Sequence, residues 1–436
     1  MRPADSSHLL RILGVAFGIA VVVGGTIGQG ILRTPGMVAE GVPHQTLIVA
    51  LWLIGGVVCA IDAMSTVELA SSIRRTGGPY IFVGRAFGPL PGLATGLADW
   101  LANVAAAAFV SVVFGEYLHR LGIAGNVPLG LLAATLVLTV GVIQLLGTKV
   151  AGRSQELGSA IKASLFCILV AALLLAPRGD SVAIVAAAPA ATFLGVIVAL
   201  RGIFGTYAGW NSASYFCEEV HDPSHSIARA TFSALAIITA IYVLVNVALL
   251  SVLTPAEMAG SNLVAADAAA RVFGPMADPV VTAISLISLV TIANATIMIF
   301  PRVAYAIARD AGIPGLSHVA DNGTPRLAVL VTVAAAALLA LVGVYDLLLA
   351  FSATLFTAMG VAVNAAAIAM RLKHPDLERP YAMPLFPLPA IFALTANAAL
   401  FVMFAVEDPV SAAQAFGLLS VLTALTFTAM RRLTVA

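Results

Sequence analysis

Apolar runs as long as a bilayer is thick recur along almost the whole chain, separated by short polar segments. A helix needs about 20 mostly apolar residues to cross the hydrocarbon core. Twelve such runs are readable: 10–39, 46–73, 90–118, 128–147, 157–176, 191–216, 230–253, 279–308, 327–344, 346–370, 385–405 and 410–430. Only 10% of the residues are charged, against about 25% in a soluble chain, so these runs cannot be folded beneath a water-facing surface. The expectation is an all-α integral membrane protein. The longest gaps, 177–190 and 254–278, are loop-sized and leave no room for a soluble domain. The first run exceeds the 7–15 residues, roughly, of a signal-peptide core and reads as an uncleaved span.

The charges orient the spans. With the N-terminus in the cytoplasm, inner segments hold 17 Lys and Arg, and outer segments hold only Arg120, Arg178 and Arg271. Cytoplasmic loops of membrane proteins carry such an excess. Both termini are therefore expected inside, in the cytoplasmic (inner) membrane. The net charge of +1 argues against a nucleic-acid partner. Cys59, Cys167 and Cys217 form no C-x-x-C pair and read as small buried hydrophobes. No H-E-x-x-H, G-x-S-x-G or P-loop pattern occurs, which argues against a membrane-embedded enzyme; no metal or cofactor is expected. A sensor would need an output domain, and no segment is large enough.

Two runs are poor helix material. The first contains Gly24-Gly25-Thr26-Ile27-Gly28-Gln29-Gly30, and the sixth has Gly202, Gly205 and Gly209 around Thr206-Tyr207. Each helical Gly costs about 1 kcal/mol relative to Ala. Backbone groups freed inside a membrane must face protein or a water-filled cavity. The interruptions lie about 180 residues apart, which is about five spans of average length, an odd number. The second half therefore repeats the first upside down. Paired interrupted helices in corresponding halves point to the midplane site of a secondary transporter. After the first break a new helix would begin near Gly28-Gln29-Gly30, offering free N–H groups to a carboxylate. Before the second, a helix would end near Gly205, offering carbonyls to an ammonium. A zwitterion carries both.

Longer motifs resemble a known family. Gly28-Gln29-Gly30-Ile31-Leu32-x-x-Pro35 is similar to the G-S-G-I-F-x-x-P stretch of the amino acid–polyamine–organocation (APC) superfamily, nearest its L-type amino-acid transporter branch. Gly77-Gly78-Pro79-Tyr80 with Phe87-Gly88-Pro89, Tyr207-Ala208-Gly209-Trp210-Asn211 with Glu218-Glu219-Val220, Pro301-Arg302-Val303-x-Tyr305, and His374-Pro375-Asp376-Leu377 resemble its other signatures. The resemblance covers about residues 8–432. It implies twelve transmembrane helices, a five-plus-five inverted repeat (10–176 and 191–370) with helices 1 and 6 broken, and two added helices within 371–436. Residues 1–9 would be a cytoplasmic tail and 177–190 an extracellular loop. It also implies an alternating-access permease for amino acids, working by exchange or proton coupling; an amine or polyamine permease is the alternative. By position, the N–H groups of Gly28, Gln29 and Gly30 would hold a carboxylate. The carbonyls of Thr26, Gly205 and Ala208 would hold an ammonium. Ile27, Phe204, Tyr207, Trp210 and Asn211 would complete the pocket. Lys162 corresponds to a lysine that takes the place of a sodium ion, implying sodium-independent transport. Three departures stand out: Gln29 replaces Ser, Gly205 replaces a gating Phe, and Arg33 and Arg201 add positive charge. Oligomeric state stays open.

Ionisable residues inside spans are functional candidates by default. Asp99 and Asn103, four apart, predict a hydrogen bond along one helix face. Asp62 is a candidate proton site. Glu68 is expected to pair with an Arg, and Arg33 and Arg201 with Asp62, Asp99 or Glu116, or to meet an anionic substrate.

Overall fold

A computed structural model describes Leu9 and residues 14–176, 191–261, 263–313, 315–342 and 345–435. In chain order the helices are α1 (Val15–Thr26), α2 (Gln29–Gly41), α3 (Gln45–Ile73), α4 (Pro79–Phe87), α5 (Pro89–Arg120), α6 (Leu129–Leu145), α7 (Thr148–Leu175) and α8 (Phe193–Tyr207). A 3-10 segment, Trp210–Phe216, follows. Then come α9 (Pro223–Leu250), α10 (Pro255–Met258), α11 (Val264–Phe273), α12 (Ala277–Ile299), α13 (Pro301–Asp310), α14 (Arg326–Val342), α15 (Tyr345–Lys373), α16 (Leu388–Glu407) and α17 (Pro409–Val435). Six of them, α4, α5, α9, α10, α13 and α17, start on a proline, whose missing N–H costs nothing in the first turn.

Among the described residues, nine helical units are long and apolar enough to cross a membrane. The pair α1 and α2, bent by 47°, makes a tenth. The apolar helices α6 and α14 have 17 residues each. Every one of the twelve apolar runs is therefore a helix or a broken helix. α5 lies at the centre, packed against α4, α6, α12, α14, α15 and α17. Its apolar stretch is 72% buried, against 11% for α16, which places α16 on the rim.

Several expectations need correction. The segment 254–278 is not plain loop: α10 and α11 form there. Glu40, near the end of α2, accepts the Gly260 N–H at 3.0 Å. α4 likewise folds in the segment between the second and third runs, burying Tyr80, Ile81, Phe82, Val83 and Ala86. All three are too short for a bilayer-length criterion to find. α7 begins at Thr148, nine residues before the apolar run, because Lys149, Arg153 and Glu156 sit on its polar first turns. Lys162 is thus mid-helix. α8 runs through Gly205 to Tyr207, so the second break falls at Ala208-Gly209. Arg201 pairs with Glu407 of α16 rather than with Asp62 or Asp99. Asp62 instead accepts from Asn364 Nδ2 at 2.8 Å and Asn397 Nδ2 at 3.3 Å. The expected Glu68 pairing holds: Arg371 reaches it at 2.5 Å and Arg379 at 3.4 Å. Residues 177–190 and the tail 1–8 lie outside the described residues.

At one end of the bundle, carboxylates and guanidiniums interlock. Arg302 meets Glu219 at 2.5 Å with both side chains buried, Arg309 grips Glu218 at 2.8 Å, and Arg75 meets Asp310 at 2.6 Å. Glu218 lies just past the 3-10 segment. Burial pushes its carboxyl up, but the hydrogen bonds and charge of Arg309 and the Thr76 N–H outweigh this and hold it below the usual carboxylate range.

Candidate site between two broken helices

α1 ends because Ile27 turns extended, at φ −70° and ψ 115°, and Gly28 continues so, at φ −151° and ψ −153°. α2 then restarts at Gln29. Its first-turn N–H groups have no intrahelical acceptor. α8 ends when Ala208 turns extended (ψ 143°) and Gly209 adopts φ +105°, a left-handed value that favours glycine.

The two breaks touch. A Cβ on Gly209 would lie 2.9 Å from the Gly25 carbonyl oxygen, so glycine is what permits this approach. Thr34 Oγ1 of α2 and Thr206 Oγ1 of α8 share a hydrogen bond of 2.8 Å. A Cβ on Gly30 would meet Thr206 Cγ2 at 2.9 Å. Tyr242 of α9 places its hydroxyl 3.0 Å from the Thr26 carbonyl and 2.9 Å from the Thr206 carbonyl. It has one proton and serves one carbonyl at a time. The start of α2 and the end of α8 thus face the same point with opposite ends of their dipoles.

Lys162 is fully buried, and its ammonium donates to the Gly24 carbonyl at 2.7 Å and to the Ile27 carbonyl. Both belong to the last turn and break of α1, where the helix dipole is negative. Ser288 Oγ of α12 also donates to Ile27, at 3.2 Å. A chain of buried polar side chains supports this tie. Gln144 Nε2 donates to Asn294 Oδ1 at 2.7 Å, Asn294 Nδ2 to Gln155 Oε1 at 2.8 Å, and Gln155 Nε2 to Ser159 Oγ at 3.3 Å. Ser159 Oγ donates to the Ala20 carbonyl at 2.7 Å.

The residues singled out from sequence are not all placed alike. Thr26, Ile27, Gly28 and Gly30 lie at the first break, together with the Gln29 backbone. Thr26 Oγ1 is buried with no hydrogen-bond partner among the described residues. Gly205 and Ala208 are exposed, and a Cβ on Gly205 would meet nothing within 4 Å. The Gly205 carbonyl already accepts from the Ala208 N–H at 3.3 Å. Phe204, Trp210 and Asn211 are half-buried around the second break. Tyr207 is turned into the core: its hydroxyl donates to the Trp52 carbonyl at 3.0 Å and its ring packs 4.9 Å from that of Tyr242.

Tyr242, Gln155, Ser159, Ser288 and Asn294 were missed. For α7 a signal existed: Gln155, Ser159 and Lys162 stand at i, i+4 and i+7, a polar stripe on an apolar helix. Tyr242 carried no such signal.

Known proteins resemble this chain over most of its length. The family model described as amino acid permease matches residues 13–427. The chain is 26% identical over 404 residues to the serine/threonine exchanger SteT of Bacillus subtilis (strain 168), covering 90% of this chain and 91% of that protein. It is 29% identical over 418 residues to the cystine/glutamate transporter of Homo sapiens, covering 90% and 80%. It is 27% identical over 405 residues to the b(0,+)-type amino acid transporter 1 of Mus musculus, covering 89% and 82%.

Proposed function

The chain belongs to the amino acid permease family, and on that footing we propose that it carries amino acids across the cytoplasmic membrane by alternating access, without sodium, in exchange for a second amino acid or together with a proton. The observation that carries this reading is the meeting of two helix breaks with opposite dipole ends at one point. In this reading the N–H groups of Gly28, Gln29 and Gly30 take the substrate carboxylate. The carbonyls of Thr26, Gly205 and Ala208 take its ammonium. The Thr26 carbonyl is shared with Tyr242, whose single proton can stay with Thr206 once an ammonium arrives. Phe204, Trp210 and Asn211 line the pocket beside the open face of Gly205. The relatives are named for amino acids, and one as an exchanger, which supports the cargo class.

Lys162 supports sodium independence. Its ammonium is a tethered cation already seated on the carbonyls of the broken helix. The chain is further read as twelve spans in two inverted five-helix repeats, 10–176 and 191–370, with both termini in the cytoplasm. The side-by-side packing of α2 on α8, which run oppositely to and from their breaks, supports the inversion.

The test is competition for binding to the purified protein. Amino acids should compete, and their amides and decarboxylated amines should compete roughly 10- to 150-fold more weakly, the loss of hydrogen bonds of about 1.5–3 kcal/mol to a charged group. Amines competing as well as their parent amino acids would overturn the carboxylate role and favour an amine permease.

A further inference from the structure

Asp99 of α5 is fully buried, yet it has no role in holding either break. Its oxygens lie 2.9 Å and 2.8 Å from the Tyr215 hydroxyl, and Asn103 Nδ2 donates to Oδ1 at 2.9 Å. Tyr215 sits on the 3-10 segment, buried, with its ring 5.6 Å from Phe300 and tight against Gly78, where a Cβ would lie 2.6 Å from Cε1. That packing aims the hydroxyl. On its other side, Asn211 Nδ2 donates to Tyr215 Oη at 3.4 Å. Asn211 lies two residues past Gly209. A line of hydrogen bonds therefore runs from a buried carboxyl in the centre of the bundle to the broken helix.

No cation compensates Asp99 among the described residues. On the elements packed around α5, several charged and titratable side chains are engaged elsewhere. Tyr80 of α4 donates to Asp310, Arg302 of α13 meets Glu219, and Arg309 meets Glu218. On α15, Arg371 meets Glu68 and Lys373 donates to the Ala86 carbonyl. A buried carboxylate facing only neutral donors is costly, and taking up a proton relieves that cost.

We propose that Asp99 is a proton site whose state reaches the substrate-binding break through Tyr215 and Asn211. The inference rests on the transport reading above. With Asp99 ionised, Tyr215 donates to it and Asn211 Nδ2 donates to Tyr215, leaving Asn211 Oδ1 as an acceptor for the substrate ammonium. With Asp99 protonated, its O–H donates to Tyr215 Oη. The Tyr215 proton then goes to Asn211 Oδ1, the carboxamide having turned over, and Nδ2 faces the break. A donor there opposes an ammonium. The proton moves no further than the Asp99 carboxyl, and the chain between reverses its hydrogen-bond direction. Substrate and proton accordingly exclude each other, and binding substrate releases a proton.

Asp99→Asn, Tyr215→Phe and Asp62→Asn test this in purified protein and proteoliposomes, each first checked for monodispersity and thermal stability. The readouts are the affinity for a radiolabelled amino acid as a function of pH, and proton release on binding in weak buffer. In wild type, affinity should fall as pH falls, by up to about tenfold per pH unit, the limit for one linked proton. Asp99→Asn and Tyr215→Phe should both flatten the profile and abolish proton release, whatever they do to affinity at one pH. Asp62→Asn should keep the wild-type profile. A wild-type pH dependence that survives in Asp99→Asn or Tyr215→Phe, or that is lost in Asp62→Asn, overturns the relay while leaving the transport reading intact. Absence of saturable amino-acid binding and uptake at every pH would remove the transport reading and the relay with it.

Discussion

Replacing Lys162 with Met keeps a long apolar stem and removes the ammonium that ties α7 to the broken end of α1. The Ile27 carbonyl keeps Ser288 Oγ at 3.2 Å, but the Gly24 carbonyl loses its side-chain donor. A hydrogen bond to a charged group contributes about 1.5–3 kcal/mol. Losing one outright, with the other partly replaced, should weaken the tie by about 2 kcal/mol, roughly 30-fold in the population of the tied arrangement. Relief from burying an ammonium offsets part of this in global stability, so the variant should fold and purify. It does not restore the tie. Uptake by proteoliposomes, with sodium replaced by choline, should fall roughly 30-fold in Lys162→Met while wild type proceeds unchanged by the replacement. Normal transport by Lys162→Met, or a wild type that needs sodium, would refute the tethered-cation reasoning.

Gly205→Phe has room for its Cβ, which would meet nothing within 4 Å, and should exclude large substrates while sparing small ones; equal effects on both remove Gly205 from the pocket lining. Gly30→Val should lower both binding and thermal stability, because its branched side chain would strike Thr206 and wedge α2 from α8; normal binding would show that this approach is dispensable. The Glu218–Arg309 pair should add stability that is fully present above the ordinary Glu range, near 4.5, and lost as pH falls through the depressed folded value. Glu218→Gln should remove that acid-side loss, seen as a shallower decline of apparent melting temperature below about pH 5.

The apolar helices and the two breaks were legible because both are local. A bilayer-length apolar run can only be a helix, and four glycines in seven residues can hardly remain one. The place of the second break was not legible to the residue. Gly205 stays helical, whereas Gly209 breaks, because only Gly209 lies against the Gly25 carbonyl, a contact between segments far apart in sequence. Lys162 stood out as an ionisable residue inside a span, but its role came only by resemblance, and its short apolar run placed it too near a helix end. The full α7, begun on charged residues at Thr148, puts it at mid-helix. The Asp99–Asn103 hydrogen bond was legible from the i, i+4 spacing. The long-range partners were not: packing supplied carboxamides to Asp62, the Tyr215 phenol to Asp99 and Glu407 to Arg201, all from segments far away in sequence.

Counterflow in sodium-free proteoliposomes tests the central claim most directly. Vesicles loaded with an unlabelled amino acid and diluted into a trace of the labelled one should take it up faster, and to a transient excess, than empty vesicles, with saturation at rising concentration and no need of sodium. Uptake that rises linearly without saturation, that ignores the internal amino acid and any pH gradient alike, or that occurs only with sodium outside would contradict alternating access on a lysine-tied broken helix.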